Sequence, residues 1–173
     1  MPSPKMIEEL NLQLNRELYS SYLYLSMSVY FSGKGLAGFA NWMRVQAQEE
    51  LTHAMKFFDY ILKTGASVRL LPIEAPPSEW TNPLAVFQET LRHEQKVTSY
   101  INNLMDLAIG EKDYATVNFL QWFVSEQVEE EENARNILDR LSLAGEDRGL
   151  LFILDQELGK RVFVAQNQDN KEG

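Results

Sequence analysis

Glu50 and His53 stand three residues apart in the stretch QAQEELTHAMKFF, residues 46–58. The other positions on their side of a helix are Phe39, Met43, Gln46, Phe57 and Tyr60, reached by steps of three and four. A carboxylate and an imidazole therefore occupy places where the pattern asks for leucine. Three more stretches repeat the anomaly. Glu17 interrupts the stripe Ile7, Leu10, Leu14, Ser21, Tyr24, Ser28, and Glu94 interrupts Leu84, Phe87, Leu91, Ile101, Met105, Ala108. Gln127 and Glu130 fall within Leu120, Phe123, Ala134, Ile137, Leu141. Desolvating one uncompensated carboxylate costs several kcal/mol. No lysine or arginine occurs in these stripes, so cations from solution are the economical way to neutralise them. Four carboxylates, a neutral imidazole and two divalent ions balance. Oxygen donors with one imidazole suit iron or manganese. A lone mid-helix glutamate is usually a solvated face, and one Glu-x-x-His pair is a weak signal. The four helices carry weight only together.

Residues around this set are less decided. The acidic run SEQVEEEEN, 125–133, reads as a solvated face at Glu131 and Glu132. Glu126 and Glu129 flank the buried positions at helical spacing and face toward Glu49. Tyr24 is one heptad from Glu17, and Trp122 is about a turn from Glu126; either is a core residue or a neighbour of the chemistry. His93 adjoins Glu94 and points about 100° away from it, which reads as a surface position.

These residues need long elements to hold them. Apolar periodicity gives helices over about Pro4–Phe31, Leu36–Thr64, Pro83–Ile109 and Asp113–Ala144, with a short fifth at about Asp147–Leu158. Breaks at SGKG (32–35), Gly65, Gly110 and AGED (144–147) separate them. The segment 66–83 carries Pro72, Pro76, Pro77 and Pro83 and reads as an extended connector. A helix of 28 residues is about 42 Å long, and eighteen extended residues reach about 60 Å. The connector can therefore run the length of the bundle. The expected fold is all-α, a four-helix bundle with one long crossover. Glu17 and Glu50 lie about 16 residues either side of the first turn, and Glu94 and Glu130 about 18 either side of the second. All four carboxylates therefore share one layer near mid-bundle.

Composition narrows the function. The 173 residues suffice for one domain, 1–173, with the bundle at about 4–144 and a polar end, 166–173, expected to be disordered. There is no cysteine, which removes thiol catalysis, Cys-ligated zinc and iron–sulfur clusters. A net charge of −9 disfavours nucleic acid and anionic membrane as partners. The start MPSPKMIEEL lacks the apolar run of a signal peptide, and no stretch has the length of a membrane span, so the expected location is cytoplasmic.

Over nearly the whole chain the sequence resembles the ferritin family, and most of all its haem-free bacterial and archaeal members. NRELYSSYLYLSM, GFANWMRVQAQEELTHAMKFFDY and NFLQWFVSEQVEEE carry the likeness. ELTH (50–53) supplies one Glu-x-x-His, whereas the fourth helix has Gln127-x-x-Glu130 where bacterioferritins have a second. The haem methionine of bacterioferritins would fall at Thr52, so no haem is expected. The resemblance implies one iron held by Glu17, Glu50 and His53. It implies a second held by Glu50, Glu94 and Glu130, with Glu50 bridging. Glu49, Glu126 and Glu129, with Glu130, match a third iron site. Tyr24 and Trp122 match an aromatic pair thought to supply electrons, and Gln127 matches a residue beside the dioxygen site. The implied activity is ferroxidase: Fe(II) is oxidised by dioxygen and stored as mineral in a homo-oligomeric shell of 24 subunits. The acidic pair of the animal three-fold pore would fall at Val117 and Leu120, which implies iron entry by another route.

Two other readings stay open on the residues alone: a non-storage di-iron oxidase or peroxidase, and a structural helical bundle without metal chemistry.

Overall fold

The computed structural model describes residues 2–165. Its elements are α1 (Pro4–Gly33), α2 (Ala37–Lys63), α3 (Pro83–Gly110), α4 (Tyr114–Ala144) and α5 (Arg148–Leu158), with no strand among the described residues. Each lies within about two residues of its expected bounds. The expected disorder of 166–173 lies outside the described residues. The starts are chemically marked. Ser3 accepts from the Met6 amide, with Pro4 in the first turn of α1; Asn82 accepts from the Ala85 amide, with Pro83 in the first turn of α3. Asp113 and Asp147 cap α4 and α5.

The crossover follows α1. Asn11 bonds the Ser67 carbonyl and the Arg69 amide, and Ser26 donates to the Pro77 carbonyl at 2.6 Å. Trp80 then packs edge-on against Tyr30 at 5.5 Å between ring centroids. The connector thus delivers α3 to the end of the bundle where α2 began. Phe39 near the start of α2 meets Phe87 near the start of α3, and Ile61 and Ala108 share the opposite end. Helices α2 and α3 are therefore parallel.

The hydrophobic core is in two pieces. One gathers Phe31, Phe39, Met43, Phe87, Ile137 and Leu154; the other gathers Met6, Leu10, Phe57, Ile101, Leu120 and Phe123. Leu120, a position compared with the animal pore, is fully buried in the second piece. Helix α5 closes the first. Its Asp155 carboxylate accepts from the amides of Gly38 (2.8 Å) and Phe39 (3.0 Å), a cap on the N-terminus of α2 supplied by a distant element. A Cβ at Gly38 would lie 1.6 Å from the Asp155 carbonyl oxygen, so only glycine admits this close approach.

Candidate metal centre

Between the two apolar pieces lies a polar layer. Glu17, Glu50, His53, Glu94, Gln127 and Glu130 are all buried there, one or two from each long helix. Their stripes are apolar on both sides, so helix packing that buries the neighbours carries the carboxylates inward with them. Two ligand clusters result. Atoms from Glu17, Glu50 and His53 lie within 4.8 Å of one another, and so do atoms from Glu50, Glu94 and Glu130. Glu50 belongs to both. His53 turns Nδ1 toward Glu50 Oε2 at 3.4 Å.

Amides hold the carboxylates in position. Gln13 donates to Glu17 Oε1 at 2.7 Å. Gln46 donates to Glu50 Oε1 at 3.0 Å and to Glu130 Oε2 at 2.7 Å, tying α2 to α4 across the layer. Gln127 donates to Glu94 Oε2 and to the Glu94 carbonyl, each at 3.2 Å. The Tyr24 hydroxyl donates to Glu94 Oε1. Gln13 and Gln46 are site residues that the apolar stripes alone do not identify. Their signal was present: each stands four residues before a buried glutamate, on the same face.

The electrostatics follow from burial. Desolvation, then the Glu50 charge, pushes the Glu17 carboxyl up to about 8, against the pull of His53 and Gln13. Burial and Glu50 likewise push Glu94 up to about 8. Glu130 is held well above the ordinary carboxylate value by burial, Glu94 and Glu50. Burial also works against an ionised Glu50, yet the His53 charge and hydrogen bonds from His53 and Gln46 hold it below its ordinary value. Burial opposes the imidazolium at His53, but Glu50 and then Glu126 raise it well above the usual histidine value. Without metal, burial thus favours the neutral acid at Glu17, Glu94 and Glu130, while Glu50 and His53 favour each other's charged form.

The outlying candidates separate. Glu126, partly buried, joins His53 and Glu130 in a third cluster within 4.8 Å. His53 Nε2 is buried without a hydrogen-bond partner, and Glu126 Oε1 lies 3.7 Å from it. Glu49 and Glu129 are not part of that cluster: the Glu49 carboxylate is paired with Arg161, and Glu129 is exposed. Tyr24 and Trp122 touch different ligands. Tyr24 bonds Glu94, whereas the Trp122 ring meets His53 edge-on at 5.3 Å.

His93 corrects an expectation. It is partly buried rather than at the surface: its Nε2 is 2.7 Å from Ser20 Oγ, and its ring packs edge-on against Tyr24 at 5.8 Å. A turn of about 100° from Glu94 leads into the α1–α3 seam, not into solvent. Glu131, expected on a solvated face, is also partly buried, accepting from Thr98 Oγ1 at 2.7 Å.

The donor set fits hard or borderline divalent ions. It offers carboxylate oxygens, one imidazole, no thiolate, and buried polar atoms without partners at Gln46 Oε1 and His53 Nε2. Comparison with known proteins agrees. Residues 7–144 match the ferritin-like domain model. The chain belongs to the ferritin family. It is 48% identical over 158 residues to a bacterial non-heme ferritin of Escherichia coli, covering 91% of this chain and 96% of that one. It is 46% identical to a bacterial non-heme ferritin of Bacteroides fragilis, covering 93% and 100%. Among solved structures, an open pore ferritin of Archaeoglobus fulgidus superposes with a TM-score of 0.93 at 55% identity, covering 94% of this chain and 99% of that one. An engineered closed form of the same ferritin gives 0.94 at 55%, covering 95% and 100%. No helix among the described residues is long and apolar enough to cross a membrane.

Proposed function

We propose that this chain is the subunit of a cytoplasmic iron-storage shell, built from 24 copies, that oxidises Fe(II) with dioxygen. The observation that carries the reading is the pair of three-ligand clusters sharing Glu50 in the middle of an apolar core. Iron is the substrate. Glu17, Glu50 and His53 receive one Fe(II); Glu50, Glu94 and Glu130 receive the other. Neither set saturates the coordination of an iron, so positions remain for dioxygen between the two ions. One electron from each Fe(II) passes to dioxygen, which takes up two protons and is reduced to the peroxide level, and the ferric ions hydrolyse with water and leave as mineral. The shared carboxylate fixes the spacing of the two ions, while Gln46 and Gln127 keep the ligand oxygens oriented.

Beyond this pair, Glu126 and Glu130 receive a third iron with Glu49 and Glu129 as further ligands, and His53 Nε2 faces the same place. Tyr24 and Trp122 are positioned to give up electrons toward the two clusters, through Glu94 and His53 respectively. Haem has no part: Thr52 stands where a haem ligand would be needed, and the Escherichia coli and Bacteroides fragilis relatives are non-heme ferritins.

Aerobic Fe(II) loading tests the reading. Thousands of irons retained per assembly are expected, with a fast first phase of two Fe(II) per subunit. Glu50→Ala is expected to abolish that phase while the assembly survives, since truncating a buried carboxylate relieves repulsion in the metal-free layer. An unchanged fast phase in Glu50→Ala defeats the diiron assignment. Retention of only a few irons per subunit favours a non-storage oxidase instead.

A further inference from the structure

Beyond α5 the chain turns back along α2 and sets one cation against the metal layer. The Arg161 guanidinium donates to Glu49 Oε2 and to the Trp42 carbonyl, the latter at 3.4 Å, and lies 4.3 Å over the Trp42 ring. Its own carbonyl accepts from Asn41 Nδ2 at 2.9 Å. Arginine here is held on three sides: by an anion, an aromatic face and a backbone tie. Such fixing makes it a positioned charge rather than a loose surface side chain.

Glu49 stands four residues before His53 on α2, on the side where His53 Nε2 lies 3.7 Å from Glu126 and close to Glu130. Glu49 itself feels the charges of His53, Glu50 and Glu126. Three ligand atoms are gathered on this face without Glu49; Glu49, the further oxygen donor proposed above for an ion there, carries a fixed positive charge already attached to it. We propose that Arg161 is a tethered cation that occupies Glu49 and sets the affinity of the third-metal face, so that an ion binds there fully only by displacing the guanidinium. Arg161 is a positioning residue, acting through Glu49. The device rests on the two-cluster centre being the functional layer. The pair is about one-fifth exposed on each side, so screening keeps the effect moderate.

The test is anaerobic calorimetric titration of the assembled protein with Co(II), a redox-inert probe here. The parent is expected to bind two tight equivalents per subunit and a third more weakly. Arg161→Gln should tighten the third at least tenfold and leave the first two within about twofold. Arg161→Lys, which keeps the charge, should stay within about threefold of the parent throughout. The Glu49→Gln, Arg161→Gln double variant should lose the gain. An unchanged third equivalent in Arg161→Gln overturns the proposal. So does equal tightening in Arg161→Lys, which would make geometry rather than charge responsible. A gain that persists in the double variant overturns it too, since loosening of the C-terminal segment would then be the cause. The first two equivalents report on the diiron centre and the third on Arg161, so failure of either reading is seen separately.

Discussion

Binding of two divalent ions to the buried layer should expel protons, and the structure sets how many. At pH 7 a group titrating near 8 keeps its proton in about nine molecules of ten. Glu17 and Glu94, both at about 8, therefore contribute roughly 1.8 protons between them. Glu130 and His53, both held well above their ordinary values, add up to one each, while Glu50 is already ionised. The expected release is two to four protons per pair of ions. Electroneutrality supports the upper figure. Two dications balance four carboxylates only when all four are ionised and the imidazole is neutral, so every proton the layer holds is displaced. Release should fall as pH rises. At pH 9 Glu17 and Glu94 retain only about a tenth of a proton each, so roughly 1.6 fewer are expelled. The same groups govern stability. Folded values above the unfolded 4.5 mean that the contribution of Glu17 and Glu94 is fully present below pH 4.5 and is lost as pH rises through about 8. The metal-free protein should thus lose several kcal/mol of stability across that window, at about 1.4 kcal/mol for each tenfold difference in proton affinity between the folded and unfolded chain, and metal should restore it. Anaerobic Co(II) calorimetry in two buffers of different ionisation enthalpy, at pH 7 and pH 9, measures the release. Fewer than one proton per pair of ions at pH 7, or a release that grows with pH, would refute the reasoning.

Gly38→Ala puts a methyl group 1.6 Å from the Asp155 carbonyl, so α5 must withdraw by about 2 Å. Loss of the Asp155 cap and of Leu154 and Leu158 burial should undock α5 at a cost of about 3 to 5 kcal/mol. Hydrogen exchange should show protection lost over 149–158 and at the Gly38 and Phe39 amides, while the other amides of α1 to α4 stay protected. Gln46→Leu removes the amide that bonds Glu50 and Glu130 together. Affinity for the two-ion load should fall about 10-fold to 100-fold in the Co(II) titration, the usual effect of losing a group that orients ligands, and an unchanged affinity would show that the carboxylates orient themselves.

What the sequence determined by itself is what repeats at short range. Four apolar stripes at helical period, with breaks at glycine and a proline-rich stretch long enough to span the bundle, fix the number, length and direction of the helices. Because all four stripes carry a carboxylate at matching depth, the convergence of Glu17, Glu50, His53, Glu94 and Glu130 was legible from spacing alone. The tertiary structure alone decided what depends on the rotation of one helix against another and on chain ends that fold back. The position of His93 turns on which neighbour fills the side of α3 next to Glu94; a sequence gives that side an angle but not an occupant, and α1 fills it with Tyr19, Ser20 and Tyr24. The Glu49 partner lies 112 residues away, beyond α5, and no local periodicity connects them. Asp155 likewise reads as one polar residue in a short helix until α5 crosses Gly38 and the carboxylate meets two open amides. Spacing along one helix encodes which residues share a face, but the identity of the group opposite is set by packing between segments far apart in the chain.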